Sequence, residues 1–364
     1  MGRIGLGFIG ASPGRSWAAL AHMPALAVLP DFEVVAVSTT RMESAEAAAS
    51  EFGAPLAFDN HHELVRALGV DVVVIAVKVP HHFELVKDAI AAGKHVYCEW
   101  PLGNGLAEAE EMTRLARDNG VTAVVGMQSR ASPVFNYIRD LVAEDYLGKI
   151  LSSTLVGSAT AWGAYVDQPN AYLSDKANGA TMLTIPFGHT IEGVCMCLGQ
   201  FTEVSATTAV RRKAVTIVPE MIQQPVTSED QIAMSGVLES GAIVSAHYRG
   251  GTSRGNNFLW EINGTKGDIV VTGDTGHAQL AELVIRGGRD DNQTMEALPV
   301  PERYMQWPQL PSMSNNVAGL YARLAEDLRS GNKTAPTFDD AVCRHRMLEA
   351  VERAAVSGTR QSIG

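Results

Sequence analysis

One histidine in the second half of the sequence has a side chain suited to acid–base chemistry on a hydroxyl group. His189 follows the run Ile185-Pro186-Phe187-Gly188 and precedes an apolar segment, Ile191 to Leu198, that predicts a helix. A neutral imidazole can take the proton of an alcohol, because its pKa lies near the working pH. A histidine before a helix can also be purely structural, so both interpretations of His189 stay open.

A second candidate stretch lies in the first third of the chain, where a short apolar strand ends abruptly. The strand is predicted over Val96 to Cys98, and Glu99, Trp100 and Pro101 follow it directly. Proline holds the preceding residue extended and donates no backbone hydrogen bond. Glu99 and Trp100 are therefore expected just past the carboxyl end of a strand, where α/β sheets bind their ligands. An ordinary strand-to-helix turn is the alternative.

A segment with few apolar runs precedes His189 and carries aromatic residues among polar ones. It contains Trp162, Tyr165, Tyr172, Asp175 and Lys176. Aromatic faces and directed hydrogen bonds together suit the faces and hydroxyl groups of a sugar. We therefore expect Trp162, Tyr165 and Tyr172 to contact a substrate, with the packing of a surface loop as the alternative.

The N-terminal residues predict a loop that binds the phosphates of a dinucleotide. An apolar strand, Ile4 to Ile9, leads into a loop, and a helix containing Trp17 follows. The loop residues are Gly10, Ala11, Ser12, Pro13, Gly14 and Arg15. Glycine lets the backbone approach a pyrophosphate, and a helix N-terminus offers free N–H groups to an anion. Ser12 stands where the pattern G-x-G-x-x-G has its second glycine, so the motif is degenerate.

The end of the next strand indicates which dinucleotide is preferred. The strand Phe32 to Val37 ends in Ser38, Thr39, Thr40 and Arg41. An NAD site usually has an Asp or Glu here, which binds the ribose 2′-hydroxyl. Hydroxyl groups and a guanidinium suit a 2′-phosphate better. NADP(H) is therefore favoured over NAD(H). The alternative is that Arg41 is simply the first, solvated residue of the next helix.

Strands and helices alternate along residues 1–128. The β-branched run Val70 to Val77 is typical of a strand buried on both faces of a parallel sheet. The alternation predicts an α/β fold with a doubly wound parallel sheet in this first domain.

A second domain, residues 129–364, is predicted to be α+β with a mostly antiparallel open sheet. A helix over 132–146 precedes seven β segments, separated by turn signals, at 150–158, 203–210, 231–238, 242–248, 258–262, 268–272 and 278–285. Helices over 316–330 and 339–356 end the chain, and Thr337 with Asp340 predicts a capping box for the last one. These last helices are expected to pack back toward the first domain.

Composition excludes several classes of partner. The 364 residues include 29 Lys and Arg and 40 Asp and Glu, a formal charge of −11 that argues against binding nucleic acid. No apolar run approaches the roughly 18–20 residues of a membrane span, and the first ten residues lack the features of a signal peptide. The four cysteines, including Cys195 and Cys197, indicate reduced thiols and a cytoplasmic location. We expect no metal site, because this Cys-x-Cys pair has no nearby ligand partners.

With these pieces placed, the chain resembles the glucose–fructose oxidoreductase/inositol dehydrogenase (Gfo/Idh/MocA) family over essentially its whole length. The residues that carry the resemblance are 7–10, 74–77 with His82, 92–102, Gly188-His189 and 261–267. The resemblance implies an N-terminal Rossmann domain, a C-terminal sheet domain that holds sugar-like substrates, and hydride transfer to or from a nicotinamide. It also implies a homodimer or homotetramer formed through the C-terminal sheet.

The family pattern assigns cofactor-binding roles residue by residue. The positions expected to bind the dinucleotide are Gly10, Ser12, Pro13, Gly14, Arg15, Trp17, Ser38, Thr39, Arg41, Val77, Val79, His82, Glu99, Trp100 and Gln128. Gln128 matches the segment beside the carboxamide end of the cofactor and is also expected to contact substrate, as is His189. Arg130 matches the same segment, with a salt bridge at the domain junction as an equally good account.

Two departures from the family pattern bear on catalysis. Trp100 stands where the family has a lysine beside the reacting hydroxyl, and Ile185 replaces the usual aspartate four residues before the histidine. Both changes resemble the branch that contains the fungal galactose-pathway repressor. His189 is then the main catalytic base, Trp100 contributes an indole N–H and a flat face, and Lys176 could replace the lost ammonium.

Three functions follow from this resemblance. The first is an NAD(P)-dependent oxidoreductase acting on a sugar, glycoside or polyol. The second is a non-catalytic dinucleotide-binding sensor that regulates through a protein partner. The third is transient oxidation that assists elimination or hydrolysis without net redox change.

Overall fold

The computed structural model describes residues 2–14, 16–290 and 292–363. The chain divides into two compact units. The first unit comprises Met1–Gln128 and Trp307–Cys343, and the second comprises Ser129–Gln306 and Arg344–Gly364. Each unit has its own sheet. No helix in the described ranges is long and apolar enough to cross a membrane.

The first unit is built on a six-stranded sheet in which every strand pair is parallel, which confirms the predicted Rossmann architecture. Its strands are β1 (Ile4–Ile9), β2 (Phe32–Ser38), β3 (Leu56–Phe58), β4 (Val72–Ile75), β5 (His95–Glu99) and β6 (Ala123–Gly126). The spatial order is β3-β2-β1-β4-β5-β6. The order reverses between β1 and β4, and ligands of open α/β sheets bind at the carboxyl ends of strands at such a reversal.

Helices flank this sheet. They are α1 (Met23–Leu26), α2 (Met42–Phe52), α3 (His61–Leu64), α4 (His82–Ala91) and α5 (Leu106–Asp118). The later helices are α6 (Pro133–Ala143), α7 (Gly188–Leu198), α8 (Ser312–Ser330) and α9 (Phe338–Ser357), of which α8 belongs to the first unit. The capping box predicted for α9 is confirmed, because the backbone N–H of Thr337 donates to Asp340 at 2.7 Å and that of Asp340 to the Thr337 hydroxyl at 3.4 Å.

The second unit is built on a nine-stranded, mostly antiparallel sheet, as predicted. Its spatial order is β17-β16-β15-β14-β7-β13-β12-β9-β18, and only β7 and β13 pair in parallel among these described strands. The strands are β7 (Ile150–Ala159), β9 (Phe201–Ala209), β12 (Gln231–Leu238), β13 (Ile243–Gly250), β14 (Phe258–Gly264), β15 (Gly267–Gly273), β16 (Val284–Arg289), β17 (Glu296–Ala297) and β18 (Gln361–Ser362). Buried and exposed residues alternate along β12 and β13, so one face of the sheet forms the core.

Helices α6 and α7 pack against each other in the second unit, and Phe135 of α6 also meets the sheet. The ring of Phe135 lies 5.5 Å from that of Trp260 on β14, measured between centroids. On α7, a Cβ at Gly193 would lie 2.4 Å from the Phe135 ring, so only glycine permits this close packing. Cys195 and Cys197 on the same helix are buried free thiols.

The predicted strand over 278–285 is wrong in its first six residues, because β16 begins only at Val284. The backbone N–H groups of Leu280 and Ala281 both donate to the carbonyl of His277, at 2.8 and 3.0 Å, and so close a turn. Ala278 and Ala281 are buried in that turn, which gave the segment the apolar character of a strand.

A small three-stranded sheet was not predicted. It comprises β8 (Tyr165–Asp167), β10 (Ala214–Val218) and β11 (Ile222–Pro225). Its strands have only three to five residues, which is too short for a clear alternating pattern.

Candidate functional site

The end of β1 brings three of the predicted cofactor residues together in the first unit. Gly10 has a φ of +93°, and its N–H donates to the carbonyl of Ser38 at 3.0 Å. A Cβ on Gly10 would lie 2.4 Å from Cγ1 of Val77 and 2.7 Å from the carbonyl oxygen of Ala76. The ends of β1, β2 and β4 meet so closely at the reversal of strand order that only glycine fits here. We call this narrow site the Gly10 cradle.

The loop beyond this cradle is open to solvent. Ser12, Pro13 and Gly14 are exposed, and Gly14 has a φ of +81° with enough open space for a Cβ to have no neighbour within 4 Å. The hydroxyl of Ser16 donates to the carbonyl of Ser12 and accepts from the N–H of Ala19 at 3.2 Å, which fixes the return of the chain. Arg15 lies outside the described residues.

The turn after β2 is held by its own hydroxyl groups. Those of Thr39 and Ser44 lie 2.6 Å apart, and each reaches the carbonyl of Arg41, at 3.0 and 2.8 Å. The side chain of Arg41 is exposed and makes no ion pair with any residue that the structure describes. Thr39 therefore shapes the turn, while the Arg41 guanidinium remains available to an anion.

His82 joins the loop after β4 to the turn after β5. Its Nε2 lies 3.1 Å from the carbonyl oxygen of Val77, and its Nδ1 lies 2.9 Å from that of Pro101 and 3.2 Å from that of Leu102. Burial lowers the pKa of His82, although these carbonyls act in the opposite direction. His82 thus contacts backbone on both sides and positions the segment that contains Trp100.

Glu99 and Gln128 belong to a buried hydrogen-bond chain. Oε1 of Glu99 lies 3.0 Å from Nε2 of His22, and Oε2 accepts from the Gln128 amide at 2.7 Å. Nδ1 of His22 in turn lies 2.7 Å from the hydroxyl of Tyr321 on α8. A Cβ at Gly126 would meet the Glu99 carboxylate at 2.6 Å, so glycine at the end of β6 makes room for it.

Two buried polar atoms near these hydrogen-bonded residues have no hydrogen-bond partner within the described part of the protein. They are Oε1 of Gln128, whose side chain is 1% exposed, and the indole N–H of Trp17. A buried polar atom without a partner is costly, and a bound ligand can satisfy it. Together with the Gly10 cradle, these atoms fit a nicotinamide dinucleotide, whose carboxamide can donate to Gln128.

Val79 and Trp100 complete the predicted cofactor residues, and both are buried. Trp100 is 5% exposed and is joined to Pro101 by a cis peptide bond.

His189 occupies the first turn of α7 in the second unit. A π-helical turn, Leu183–Phe187, leads into the helix, and the hydroxyl of Ser129 donates to the His189 carbonyl at 2.8 Å. The side chain is 5% exposed. Burial, with a smaller contribution from His277, lowers the pKa of His189 to about 3. The ring is therefore neutral at pH 7, but the low pKa makes it a weaker proton acceptor than the ordinary imidazole expected from the sequence.

His277, whose charge affects the pKa of His189, was not among the residues predicted from the sequence. Burial lowers the pKa of His277 to about 4. Its ring stacks on Trp162 with centroids 6.0 Å apart and planes at 28°. The preceding carbonyl, that of Gly276, accepts from the hydroxyls of Tyr248 at 2.9 Å and Thr190 at 3.3 Å. The only signal in the sequence was a second Gly-His pair, Gly276-His277. It was overlooked because a strand was predicted directly after it.

We name His189, His277 and Trp162 the histidine–tryptophan cluster. The indole N–H of Trp162 is buried, with the side chain 7% exposed, and has no partner in the ranges the structure describes. The cluster therefore offers two neutral imidazoles and one unsatisfied donor, which can form hydrogen bonds with a hydroxyl group.

The remaining predicted substrate residues lie elsewhere in the second unit. Tyr165 is exposed on the small sheet, and Tyr172 is half-buried in the helical turns that follow it. Lys176 forms an ion pair with Glu352 at 2.8 Å and lies 3.9 Å from Glu229. Burial opposes the charge of Lys176, but these carboxylates raise its pKa, so it is an ammonium at neutral pH.

Ile185 stands where the family has an aspartate. Glu192, one turn beyond His189, does not replace that aspartate. Both oxygens of Glu192 are bound, by Arg130 at 2.6 Å and by Arg344 at 2.8 Å. Burial raises the pKa of Glu192, but the two guanidinium groups outweigh it and hold that pKa below its usual value. Arg130 therefore serves a buried ion pair within the second unit.

Two family profiles match separate parts of the chain. The family profile described as "Oxidoreductase family, NAD-binding Rossmann fold" matches residues 2–127, and the profile "Gal80p, C-terminal domain" matches residues 133–273. Dehydrogenase aclE of Aspergillus oryzae is 30% identical over 98% of this chain and 97% of its own length. The galactose/lactose metabolism regulatory protein GAL80 of Saccharomyces cerevisiae is 24% identical over 99% and 94%.

A solved structure shows the same fold over nearly the whole chain. The super-repressor mutant of Gal80p from Saccharomyces cerevisiae superposes with a TM-score of 0.90 at 24% identity, covering 99% of this chain and 98% of that one.

Proposed function

Because this chain belongs to the Gfo/Idh/MocA family of oxidoreductases, we propose that it transfers hydride between a nicotinamide dinucleotide and a hydroxyl or keto group of a sugar, glycoside or polyol. The observation that carries the proposal is the buried His189 at the start of α7, whose pKa is affected by His277, on whose ring Trp162 stacks.

The chain's own residues would divide the work as follows. The Gly10 cradle and the amide oxygen of Gln128 bind the dinucleotide, which supplies the acceptor or donor of hydride when bound. During oxidation His189 takes the proton of the substrate hydroxyl while the C–H hydrogen departs as hydride, leaving a carbonyl group. In the reverse direction His189 returns the proton to the oxygen.

The cofactor is proposed to be NADP(H) rather than NAD(H). The support is the exposed guanidinium of Arg41, which has no ion-pair partner among the described residues, and the absence of an acidic side chain from the described turn that follows β2. A guanidinium binds a 2′-phosphate through charged hydrogen bonds.

Sugar-like substrates are proposed from the donors and aromatic surfaces of the second unit. The indole N–H of Trp162 can donate to a hydroxyl group, and the exposed ring of Tyr165 offers a flat face. Lys176 suits this role less well, because its ammonium is already bound to Glu352.

A second candidate function is a dinucleotide-dependent regulator that acts through a protein partner. It is favoured by the match of residues 133–273 to the Gal80p C-terminal domain, and by Trp100 and Ile185 in place of the family lysine and aspartate. A regulator of this kind would bind the dinucleotide without turning over any substrate.

The experiment that separates the two candidates is a turnover screen. Purified protein is mixed with NADP⁺ or NAD⁺ and a panel of sugars, glycosides and polyols, while the absorbance of reduced nicotinamide is followed. Cofactor binding is measured in parallel by calorimetry. An oxidoreductase reduces the cofactor with at least one compound. Binding without reduction across the panel would favour the regulator.

We also propose that the exposed face of the nine-stranded sheet pairs with a second copy of the chain. Ile243 on β13 and Val284 on β16 are exposed apolar residues on this sheet. A sheet with one bare face can pack against its own copy. Light scattering at micromolar concentration is expected to show a dimer or tetramer, and a monomer would contradict the proposal.

A further inference from the structure

We propose that His61, His62 and Asp88 in the first unit form a binding site for a divalent transition-metal ion such as Zn²⁺. His61 and His62 open α3, and Asp88 lies in α4. Oδ2 of Asp88 is 2.8 Å from Nε2 of His61 and 3.3 Å from Nδ1 of His62. Two imidazoles and one carboxylate therefore converge on one point from two helices.

The spacing of these atoms suits a tetrahedral ion. One ligand atom from each residue lies within 4.8 Å of the others. Zn²⁺ binds imidazole nitrogen and carboxylate oxygen at about 2.0–2.2 Å, which places neighbouring ligand atoms of a tetrahedron about 3.4 Å apart. The distance from His62 to Asp88, 3.3 Å, already matches this spacing. His61 and Asp88, which are hydrogen-bonded at 2.8 Å, would have to move apart by about 0.6 Å to admit the ion.

The chemistry of the donors selects the class of metal. Imidazole together with carboxylate favours Zn²⁺, Ni²⁺ or Cu²⁺ over Mg²⁺ and Ca²⁺, which prefer oxygen ligands only. The two rings already lie face to face, with centroids 4.0 Å apart and planes at 40°.

The backbone holds the pair in place and leaves it open to solvent. The side chain of Asn60 accepts from the N–H of His62 at 2.9 Å and so caps the first turn of α3. The side chains of His61 and Asp88 are about one-quarter exposed and that of His62 about half. An ion can enter from solvent, and water can occupy its remaining coordination positions.

This site is separate from the dinucleotide cradle and does not depend on the proposed function. Neither α3 nor Asp88 contributes any of the residues assigned to cofactor or substrate. Metal binding would join α3, which follows the edge strand β3, to α4 and so stabilise that edge of the sheet. No metal site was expected from the sequence, where only the pair Cys195 and Cys197 was considered as ligands.

The test is a titration of the metal-free full chain with Zn²⁺, followed by calorimetry and by thermal unfolding. We expect one Zn²⁺ per chain and a rise in Tm. His61→Ala, His62→Ala and Asp88→Asn should each weaken Zn²⁺ binding by about tenfold or more, since losing even an outer-shell partner costs 10–100-fold. Binding of Co²⁺ should give the visible absorption of a tetrahedral site.

His81→Ala is the matched control, because His81 is an exposed histidine of the same unit outside the cluster. Its Zn²⁺ affinity should equal that of the unchanged protein. Unfolding of each variant without metal checks that the fold is kept. The proposal fails if the unchanged chain shows no Zn²⁺ binding, or if Asp88→Asn binds Zn²⁺ as tightly as His81→Ala does.

Discussion

The buried side chains of Glu99 and His82 in the first unit contrast with the histidine–tryptophan cluster of the second unit. In the first unit Glu99 is bound on both oxygens, and His82 is enclosed by three carbonyl oxygens. In the second unit the imidazoles of His189 and His277 are held neutral by burial next to the unsatisfied indole of Trp162. The first arrangement fixes the shape of a binding cradle, whereas the second keeps groups that can exchange a proton.

Under the proposed function, the first unit binds the dinucleotide and the second unit supplies the proton acceptor. A substitution in the first unit should change cofactor affinity or stability, and one at His189 should change the rate of the chemical step. The predictions below test that separation.

The largest effect is expected at His189. His189→Ala and His189→Gln should each lower kcat by about 10²–10⁴-fold on a confirmed substrate, because neither side chain can accept a proton. Calorimetry should give an unchanged Kd for the dinucleotide. A variant that turns over at the parent rate would remove proton transfer from the second unit.

Gly10→Ala should be the most damaging small change in the first unit. The new Cβ meets Val77 and the Ala76 carbonyl, and a left-handed backbone adds strain, for a total of about 2–5 kcal/mol in unfolding free energy. Dinucleotide affinity should fall with it. Gly14→Ala is the matched control, because its positive φ is strained but no atom is near, so about 1–2 kcal/mol is expected. Equal losses in denaturant unfolding would show that the cradle is not tightly packed.

Acid should destabilise the second unit through buried histidines, among them His189 and His277, with His345 adding a similar effect. The pKa values of His189 and His277, about 3 and about 4, lie below the unfolded value of about 6.5, so the unfolded chain binds more protons between these limits. The contribution of these histidines to stability is fully present above about pH 6.5 and is lost as the pH falls toward 3. When the pH falls from 7 to 5, His189 and His277 together should lower the free energy of unfolding by about 2–4 kcal/mol.

Scanning calorimetry at the two pH values measures this loss. His189→Gln with His277→Gln should reduce the pH dependence of Tm, because glutamine does not titrate. An unchanged dependence in the double variant would place the acid-sensitive groups elsewhere.

The smallest effect is expected at Arg41, on the rim of the cradle. Arg41→Ala should weaken NADP(H) by about 1–3 kcal/mol, the loss of a charged hydrogen bond, and NAD(H) much less. Calorimetric titration with both dinucleotides measures the difference. Equal losses for the two would contradict the assignment of a 2′-phosphate site.

The fold could be predicted from the sequence because its signals are local. The run that becomes β4 is β-branched and buried throughout, and Gly10 directly follows β1. The polar ends of successive parallel strands meet at one edge, so residues near Gly10, Ser38 and Val77 could be grouped without coordinates.

The interactions of the candidate site could not be predicted in the same way. His277 lies in a turn whose apolar residues imitate a strand, and its approach to His189 depends on the packing of the whole second unit. Lys176 finds its carboxylate on α9, near the end of the chain. Pairings between residues so far apart follow from tertiary packing, which no local pattern records.

Direct hydride transfer is the central claim, and a labelled substrate tests it most directly. A sugar, glycoside or polyol that is turned over is prepared with deuterium on the carbon that bears the reacting hydroxyl, and the products are analysed by mass spectrometry. We predict that the deuterium is recovered in the reduced nicotinamide, and that its rate of appearance falls in His189→Gln. Deuterium that stays in the product, or is lost to water while the dinucleotide remains oxidised, would contradict the claim.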